Sequence, residues 1–417
     1  MNRLILPLVV VMAFGANGAL ADESAPQCGT NTGEAATGEP IKVGGIHGNA
    51  APGDFSSSTD SAAAYFSCVN ANGGIHGRPI EYLVENDQWN PELAGQAASK
   101  LLVDEAVVAM VGNGSFLEMA VNAGTYKDAD MMVMASACAV SECFESSNIV
   151  STNQGPLGSN VGVIQYMQEE LGVQSVACIS LAIPNVGTWS CDAVAGYMEN
   201  NGGSAQSVLL NPAAPDVNSA MLEAIATGAD TMLINLPAGL ATAVLKAAEE
   251  QDLRDAYKWG APTTLYDLSV PAALGEYWDG HIYVNAELAP FTDGGDDNQN
   301  WIKVMDGFAN DDDPRDTFSQ SGYLSAKFFV ETLLKMDAND VGDREKVNNA
   351  ITAINGYASD LMCGPYYVGE ADFHYPNHAG HVVLIKDGSF DVVRDCFEYN
   401  SAYFDPHAEI EKQLGLR

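Results

Sequence analysis

The chain has 417 residues, 47% hydrophobic and 18% charged, with 40 glycines spread along it. This exceeds one typical domain and excludes a disordered or fibrous protein. Acidic residues outnumber basic ones 55 to 18, for a formal charge of -37, which excludes nucleic acid and an anionic membrane surface as partners, since phosphate binding needs clustered Lys and Arg.

The N-terminus places Arg3 before the apolar run Leu4 to Phe14, then Ala19-Leu20-Ala21 ahead of Asp22. That is the order of a secretory signal peptide over residues 1–21. Pro7 interrupts the run, which is too short to span hydrocarbon. Cys28 follows Ser24-Ala25-Pro26-Gln27, a context unsuited to lipid attachment. The reading is therefore an exported, soluble and monomeric protein, periplasmic or otherwise extracytoplasmic.

After a polar leader over 22–40, short apolar runs alternate with helical patterns, as in parallel sheets. Strand 41–46 precedes a helix over 58–70, which the serines Ser56, Ser57 and Ser58 are expected to cap. Strands follow at 80–84, 107–111 and 131–134, separated by helices 91–103 and 117–127. The pattern restarts after Ser151-Thr152-Asn153, with helices 158–171, 191–200, 217–227 and 239–251 interleaved with strands 175–179, 206–210, 231–235 and 257–259. Strand 281–285, helices 298–308, 319–334 and 344–355, and a hairpin over 382–386 and 390–394 close the chain. The fold class is α/β, as two doubly wound parallel-sheet lobes.

Eight cysteines follow the signal segment, and an even count in an exported chain points to disulfides. Spacing favours Cys138 with Cys143, Cys178 with Cys191 and Cys363 with Cys396, leaving Cys28 with Cys68, although eight cysteines allow 105 connectivities. The acidic runs at 293–297 and 311–313 lack EF-hand spacing and are taken as solvated loops. His374, His378 and His381 form the one histidine cluster; they are expected as exposed hairpin residues, with no metal or cofactor assigned.

The stretch Val69-Asn70-Ala71-Asn72-Gly73-Gly74-Ile75-His76-Gly77-Arg78-Pro79-Ile80, followed by Glu85-Asn86-Asp87-Gln88 and a helix opening at Pro91, resembles the branched-chain amino-acid-binding (Leu/Ile/Val-binding) family of type I periplasmic binding proteins. Val111-Gly112-Asn113-Gly114-Ser115 and Cys363-Gly364-Pro365 look like further landmarks. The resemblance spans about residues 41–400. It implies a Venus-flytrap protein of an ABC transporter, with a membrane permease as partner. It also implies three hinge crossings, near 151–153, 284–286 and 362–365. Lobe one would then be 41–152 with 287–362, and lobe two 153–286 with 363–417.

Asn113-Gly114-Ser115-Phe116 falls after a strand and opens a helix, where free amides and the dipole can receive a carboxylate. By the resemblance, Ser115 and the turn Ala135-Ser136-Ala137 would hold it. Position alone adds Asp54 and Phe55; Asn185, Val186 and Gly187; Pro237, Ala238 and Gly239; and Thr263, Thr264 and Tyr266. His47 either edges the cleft or caps a loop. Amino-acid binders of the family place an acid beyond the position of Gly260 to pair the ligand ammonium, but this chain reads Ala261-Pro262-Thr263-Thr264. An unpaired buried ammonium is costly. Family aromatics are replaced by Val186 and by Pro237 or Ala238, so the expected ligand is an aromatic or other apolar carboxylate, with an amino acid as the alternative if Asp267 or Asp54 reaches in. No GxSxG elbow, Walker loop or helix-opening GxGxxG supports an enzyme; a ligand-sensing domain of similar fold is the remaining rival.

Overall fold

A computed structural model of the protein describes residues 25–50, 53–369 and 371–416. The signal-peptide segment lies outside these residues. The first half alternates β1 (Ile41–His47), α1 (Ser57–Ala71), β2 (Ile80–Asn86), α2 (Pro91–Ser99), β3 (Met110–Asn113), α3 (Phe116–Asp128), β4 (Val133–Ala135) and β5 (Ile149–Ser151). The five strands form a parallel sheet in the order β2-β1-β3-β4-β5. Its inner strands are buried on both faces, which is why they read as continuous apolar runs rather than as alternation.

The second series is α4 (Gly155–Leu171), β6 (Ser175–Leu181), α5 (Trp189–Asn200), β7 (Ser204–Leu210), α6 (Val217–Ala226), β8 (Thr231–Asn235), α7 (Ala238–Glu250), β9 (Lys258–Ala261), α8 (Ser269–Leu274) and β10 (Ile282–Ala286). Three helices follow: α9 (Asp296–Phe308), α10 (Thr317–Lys335) and α11 (Arg344–Thr352). The hairpin β11 (Ala379–Lys386) and β12 (Ser389–Glu398) and the helix α12 (Asp405–Leu414) complete the chain. The second sheet runs β12-β11-β10-β9-β8-β6-β7, with only the hairpin strands antiparallel. Helices α9 and α10 return to the first sheet and pack on α1, where Tyr65 meets Tyr323 edge-on at 5.2 Å between ring centroids. The fold is thus mixed α/β with two largely parallel sheets, as the alternation predicts.

The chain's three passages between the sheets lie side by side. Gln154 donates its amide to Glu287 at 2.6 Å and its side-chain nitrogen to Asn377 at 2.8 Å, and Ala289 donates to the Leu361 carbonyl at 2.8 Å. The three disulfides favoured by spacing, Cys138–Cys143, Cys178–Cys191 and Cys363–Cys396, are formed, as is Cys28–Cys68, the pair left over.

Several local expectations need correction. The serine cluster does not cap α1: Ser56 makes no side-chain cap, Ser57 Oγ donates to Asp316 Oδ2 at 2.9 Å, and Ser58 Oγ donates to the Phe55 carbonyl at 2.8 Å. Those hydroxyls tie the helix start to neighbouring segments instead of to its own amides. Helix α2 gives way to a π-turn over Lys100–Asp104. The short strand β5, only three residues between Ser146-Ser147-Asn148 and Thr152-Asn153, is absent from the sequence reading, because so brief an apolar run merges with its flanking turns.

The three histidines are buried, not exposed, at 4%, 4% and 5% exposure for His374, His378 and His381. His374 Nδ1 lies 2.8 Å from the Ser146 carbonyl, and burial holds its imidazole below its ordinary pKa. The loop before β11 folds back under α12 and the 141–149 segment, a long-range contact that periodicity does not reveal.

Buried carboxyls make stability depend on pH. Burial raises Glu118 and Glu287 to about 8 and, with Asp267 as a second cause, Asp316 to about 7. The unfolded chain releases these protons near the ordinary carboxylate range, whereas the folded chain keeps them up to pH 7–8. The folded state therefore binds more protons between about pH 4.5 and 8, and stability falls as pH rises through that window. The melting temperature is expected to drop from pH 5 to pH 8, with a shallower drop in Glu287→Gln. A flat or rising series, measured by thermal unfolding, would contradict the assignment.

Candidate functional site

The carboxyl ends of both sheets face one another, and between them lies a cavity of about 50 Å³, several times the space one water needs. Phe55, after β1, Phe116, at the start of α3, and Phe318, at the start of α10, form one wall. Leu181 at the end of β6 and Val186 after it, Leu236 and Pro237 after β8, and Pro262 after β9 form the other. All but Phe318, which opens α10 after the loop from α9, sit between a strand end and a helix start, which is where doubly wound sheets place ligands.

The aromatic wall is braced from behind. Phe116 stacks on Trp89 at 4.4 Å, and Phe55 meets Phe318 at 5.0 Å and Trp89 edge-on at 5.7 Å. Trp89 Nε1 donates to the Gly53 carbonyl at 2.8 Å, fixing the antiparallel pair Asn49–Ala50 and Gly53–Asp54 that precedes Phe55. Such edge and stacked contacts hold the rings in place before any ligand arrives.

The polar lining is sparse and neutral. Ser180 accepts from Asn235 Nδ2 at 3.0 Å, Thr264 Oγ1 donates to the Leu236 carbonyl at 2.8 Å, and Thr263 Oγ1 donates to Thr317 Oγ1 at 3.3 Å. A wider recess of about 560 Å³ shares Phe55, Pro237, Thr264 and Phe318 with the cavity, and is also lined by Asp54, Ala238, Gly239, Tyr266, Asp267 and Asp316. Among the described residues, no Lys or Arg lines either space. Helix α7 opens at this recess behind Pro237, which gives it no side-chain cap, so its first-turn amides lack a capping partner there.

Of the residues singled out from the sequence, Phe55, Phe116, Ala137, Val186, Pro237, Thr263 and Thr264 line the cavity, and Asp54, Ala238 and Tyr266 line the recess. Ser115 lines neither. It is fully buried, caps α3 by accepting from Glu118 N at 3.1 Å, and donates its hydroxyl to Asp87. A ligand carboxylate placed there would lie against Asp87, so the geometry does not suit the anion-receiving role expected of it.

Asn113 donates to Glu118 at 3.2 Å, and Ser136 donates to Ser325 at 2.9 Å; both, with Ala135, are internal. Gly114 and Gly187 are packing positions: a Cβ would fall 2.2 Å from Ser58 Oγ in the first and 1.9 Å from the Leu181 carbonyl in the second. Asn185 Nδ2 donates to Glu142 at 2.9 Å across the gap between the two sheet systems, which makes it a latch rather than a wall. His47 Nδ1 lies 2.6 Å from Thr59 Oγ1 at the start of α1. The sequence reading missed Ser180, Leu181, Asn235, Leu236, Pro262 and Phe318. Asp316 accepts from Ser319 N at 2.7 Å as the cap of α10, a signal that could have brought Phe318 to the helix start, though not to the cleft.

Two sheet systems enclosing a cavity at their strand ends, linked by three adjacent chain passages, define a two-lobed protein that takes a small molecule into a cleft. The chain belongs to the periplasmic binding protein family, whose pattern matches residues 40–389. None of the curated proteins compared matches it. It is similar in structure to a solute-binding protein of an R. palustris ABC transporter solved with 4-hydroxybenzoate, at TM-score 0.75 and 19% identity over 88% of this chain and 100% of that one. A fatty acid ABC transporter substrate-binding protein from Thermomonospora curvata gives 0.75 and 18% over 90% and 95%. A leucine-binding protein from Thermotoga maritima gives 0.71 and 13% over 86% and 99%.

Proposed function

We propose that the chain is the extracytoplasmic solute-binding component of an ABC importer and that it closes its two lobes around a compact carboxylic acid with a ring-sized apolar body. The observation that carries this reading is the cavity between the strand ends, walled by Phe55, Phe116 and Phe318 against Val186, Leu236 and Pro237. An apolar cavity of this kind holds no water well and takes up a flat apolar group readily. The head group is received by the uncapped first turn of α7, where amides and the helix dipole supply positive potential without a basic side chain. Asn185–Glu142 and Thr263–Thr317 bridge the lobes, and a hinge opening would break them, so ligand and latches together shift the population towards the closed form. The permease then reads that closed surface.

A second reading, an amino acid or other ammonium-bearing ligand, is favoured by Asp54, Asp267 and Asp316 in the recess. A thermal-shift and calorimetry series with benzoate, 4-hydroxybenzoate, a medium-chain fatty acid, leucine and benzylamine separates the two. One aromatic acid is expected to bind stoichiometrically and unaltered, stabilising the fold by about 2.7 kcal/mol at a hundred times its Kd. Response to leucine or benzylamine alone would transfer the assignment to the second reading, and turnover of any compound would end both.

A further inference from the structure

Outside the cleft, the described residues hold two clusters with metal-ligand chemistry. One, Cys363 and Cys396 with His381, has its thiols spent in a disulfide. We propose that the other, His378 with His407 and Glu411, is a binding site for a zinc-class divalent cation. His378 immediately precedes β11. His407 and Glu411 stand four residues apart on α12 and so share one face of the helix. The side chains are 4%, 0% and 2% exposed.

The geometry is that of a three-ligand site. Glu411 Oε1 lies 3.3 Å from His407 Nε2 and 3.9 Å from His378 Nδ1, and one ligand atom from each residue falls within 4.8 Å of the others. Ligands bound tetrahedrally at about 2.0–2.1 Å stand roughly 3.3 Å apart, so the His407–Glu411 pair is already placed, while the His378–Glu411 pair at 3.9 Å and the His378–His407 pair, within 4.8 Å, must draw in on the ion. The Tyr367 hydroxyl lies 2.6 Å from His407 Nδ1 and 3.1 Å from Nε2. The hydroxyl thus contacts both ring nitrogens and holds the imidazole beside Glu411, with Nε2 3.3 Å from Oε1; with an ion on Nε2 it would keep the Nδ1 contact, the outer partner that metal-bound imidazoles use. A recess of about 300 Å³, lined by His378 and Glu411, opens beside the cluster and supplies both an entry path and room for a fourth ligand.

Two imidazoles converging on a buried carboxylate oxygen suit a cation that all three can share. Because the ligands come from the hairpin and from α12, a bound ion would staple the terminal helix to the second sheet beside the Cys363–Cys396 disulfide.

The test uses the full mature chain, stripped with chelator, washed in high salt to clear cations from its acidic surface, and titrated with Co²⁺ and then Zn²⁺. One Co²⁺ per chain, with the visible bands of a four-coordinate nitrogen and oxygen site, displaced by one Zn²⁺, is expected. Glu411→Gln, which keeps the volume, should weaken binding at least tenfold, and Tyr367→Phe should weaken it by about 10- to 100-fold. His378→Asn serves as a second ligand variant if Glu411→Gln melts early in chelator. Absence of retained Co²⁺, or the same spectrum and stoichiometry in Glu411→Gln and His378→Asn, would overturn the site and leave the three side chains as a hydrogen-bonded pair and neighbour.

Discussion

Val186→Trp should abolish binding of whichever acid the wild-type chain takes up, by at least about 100-fold, or roughly 2.7 kcal/mol. Val186 is 9% exposed in the turn between β6 and α5 and lines the cavity opposite the three phenylalanines. An indole projecting into about 50 Å³ leaves no room for a ring. The same side chain occupies space that is empty without ligand, so the melting temperature of the free protein should move by only a few degrees, less than overpacking of a filled core would cause. Calorimetry on the folded variant reads the result directly. Retained affinity would move the site elsewhere, and a large loss of stability would make Ala137→Leu, on the opposite wall, the better probe.

The second large effect falls on stability. Replacing Cys28 and Cys68 by serine opens a loop of 40 residues, which on the chain-entropy account costs about 4 kcal/mol. Apart from the bridge the leader is held by hydrogen bonds, most of them exposed: Gln27 exchanges a pair with Asn300, Ala36 donates to the Asn70 carbonyl at 2.8 Å, Gly38 donates to the Gly77 carbonyl at 2.9 Å, and Thr30, Thr32 and Gly33 reach Asn72. A denaturant series should show the midpoint falling with the slope somewhat steeper, because the unfolded chain without the bridge expands and exposes more surface. The Cys138–Cys143 pair closes only five residues and should contribute less by the same logic. A double serine variant as stable as the parent would show that the leader is held by its hydrogen bonds and not by the bridge.

Much of this architecture was legible before any coordinates. Doubly buried strands such as Val43, Ile46 and Met232 to Ile234 announce themselves as apolar runs, and Gly73, Gly74 and Gly77, all at positive φ, mark the turn that ends α1. Half the cavity wall was legible for the same reason: residues directly after a strand in a doubly wound sheet must sit at the cleft, and Phe55, Val186, Pro237 and Thr264 do. Ser115 shows where that rule fails. It follows a strand and opens a helix as the pattern requires, yet its hydroxyl is taken by Asp87, which lies 28 residues away on another strand's trailing loop.

The sequence by itself determined the alternation, the two windings, the acidic surface and the neutral, small-residue character of the cleft edge, because these depend on short-range periodicity and on composition. Only the tertiary structure decided which partners each polar side chain finds. It turned α1's serines towards Asp316, set Phe318 against Phe55, and buried His378 against Glu411. Those contacts join residues 259, 263 and 33 positions apart, and a buried polar group takes the partner that three-dimensional packing brings, not the one its neighbours in the chain suggest.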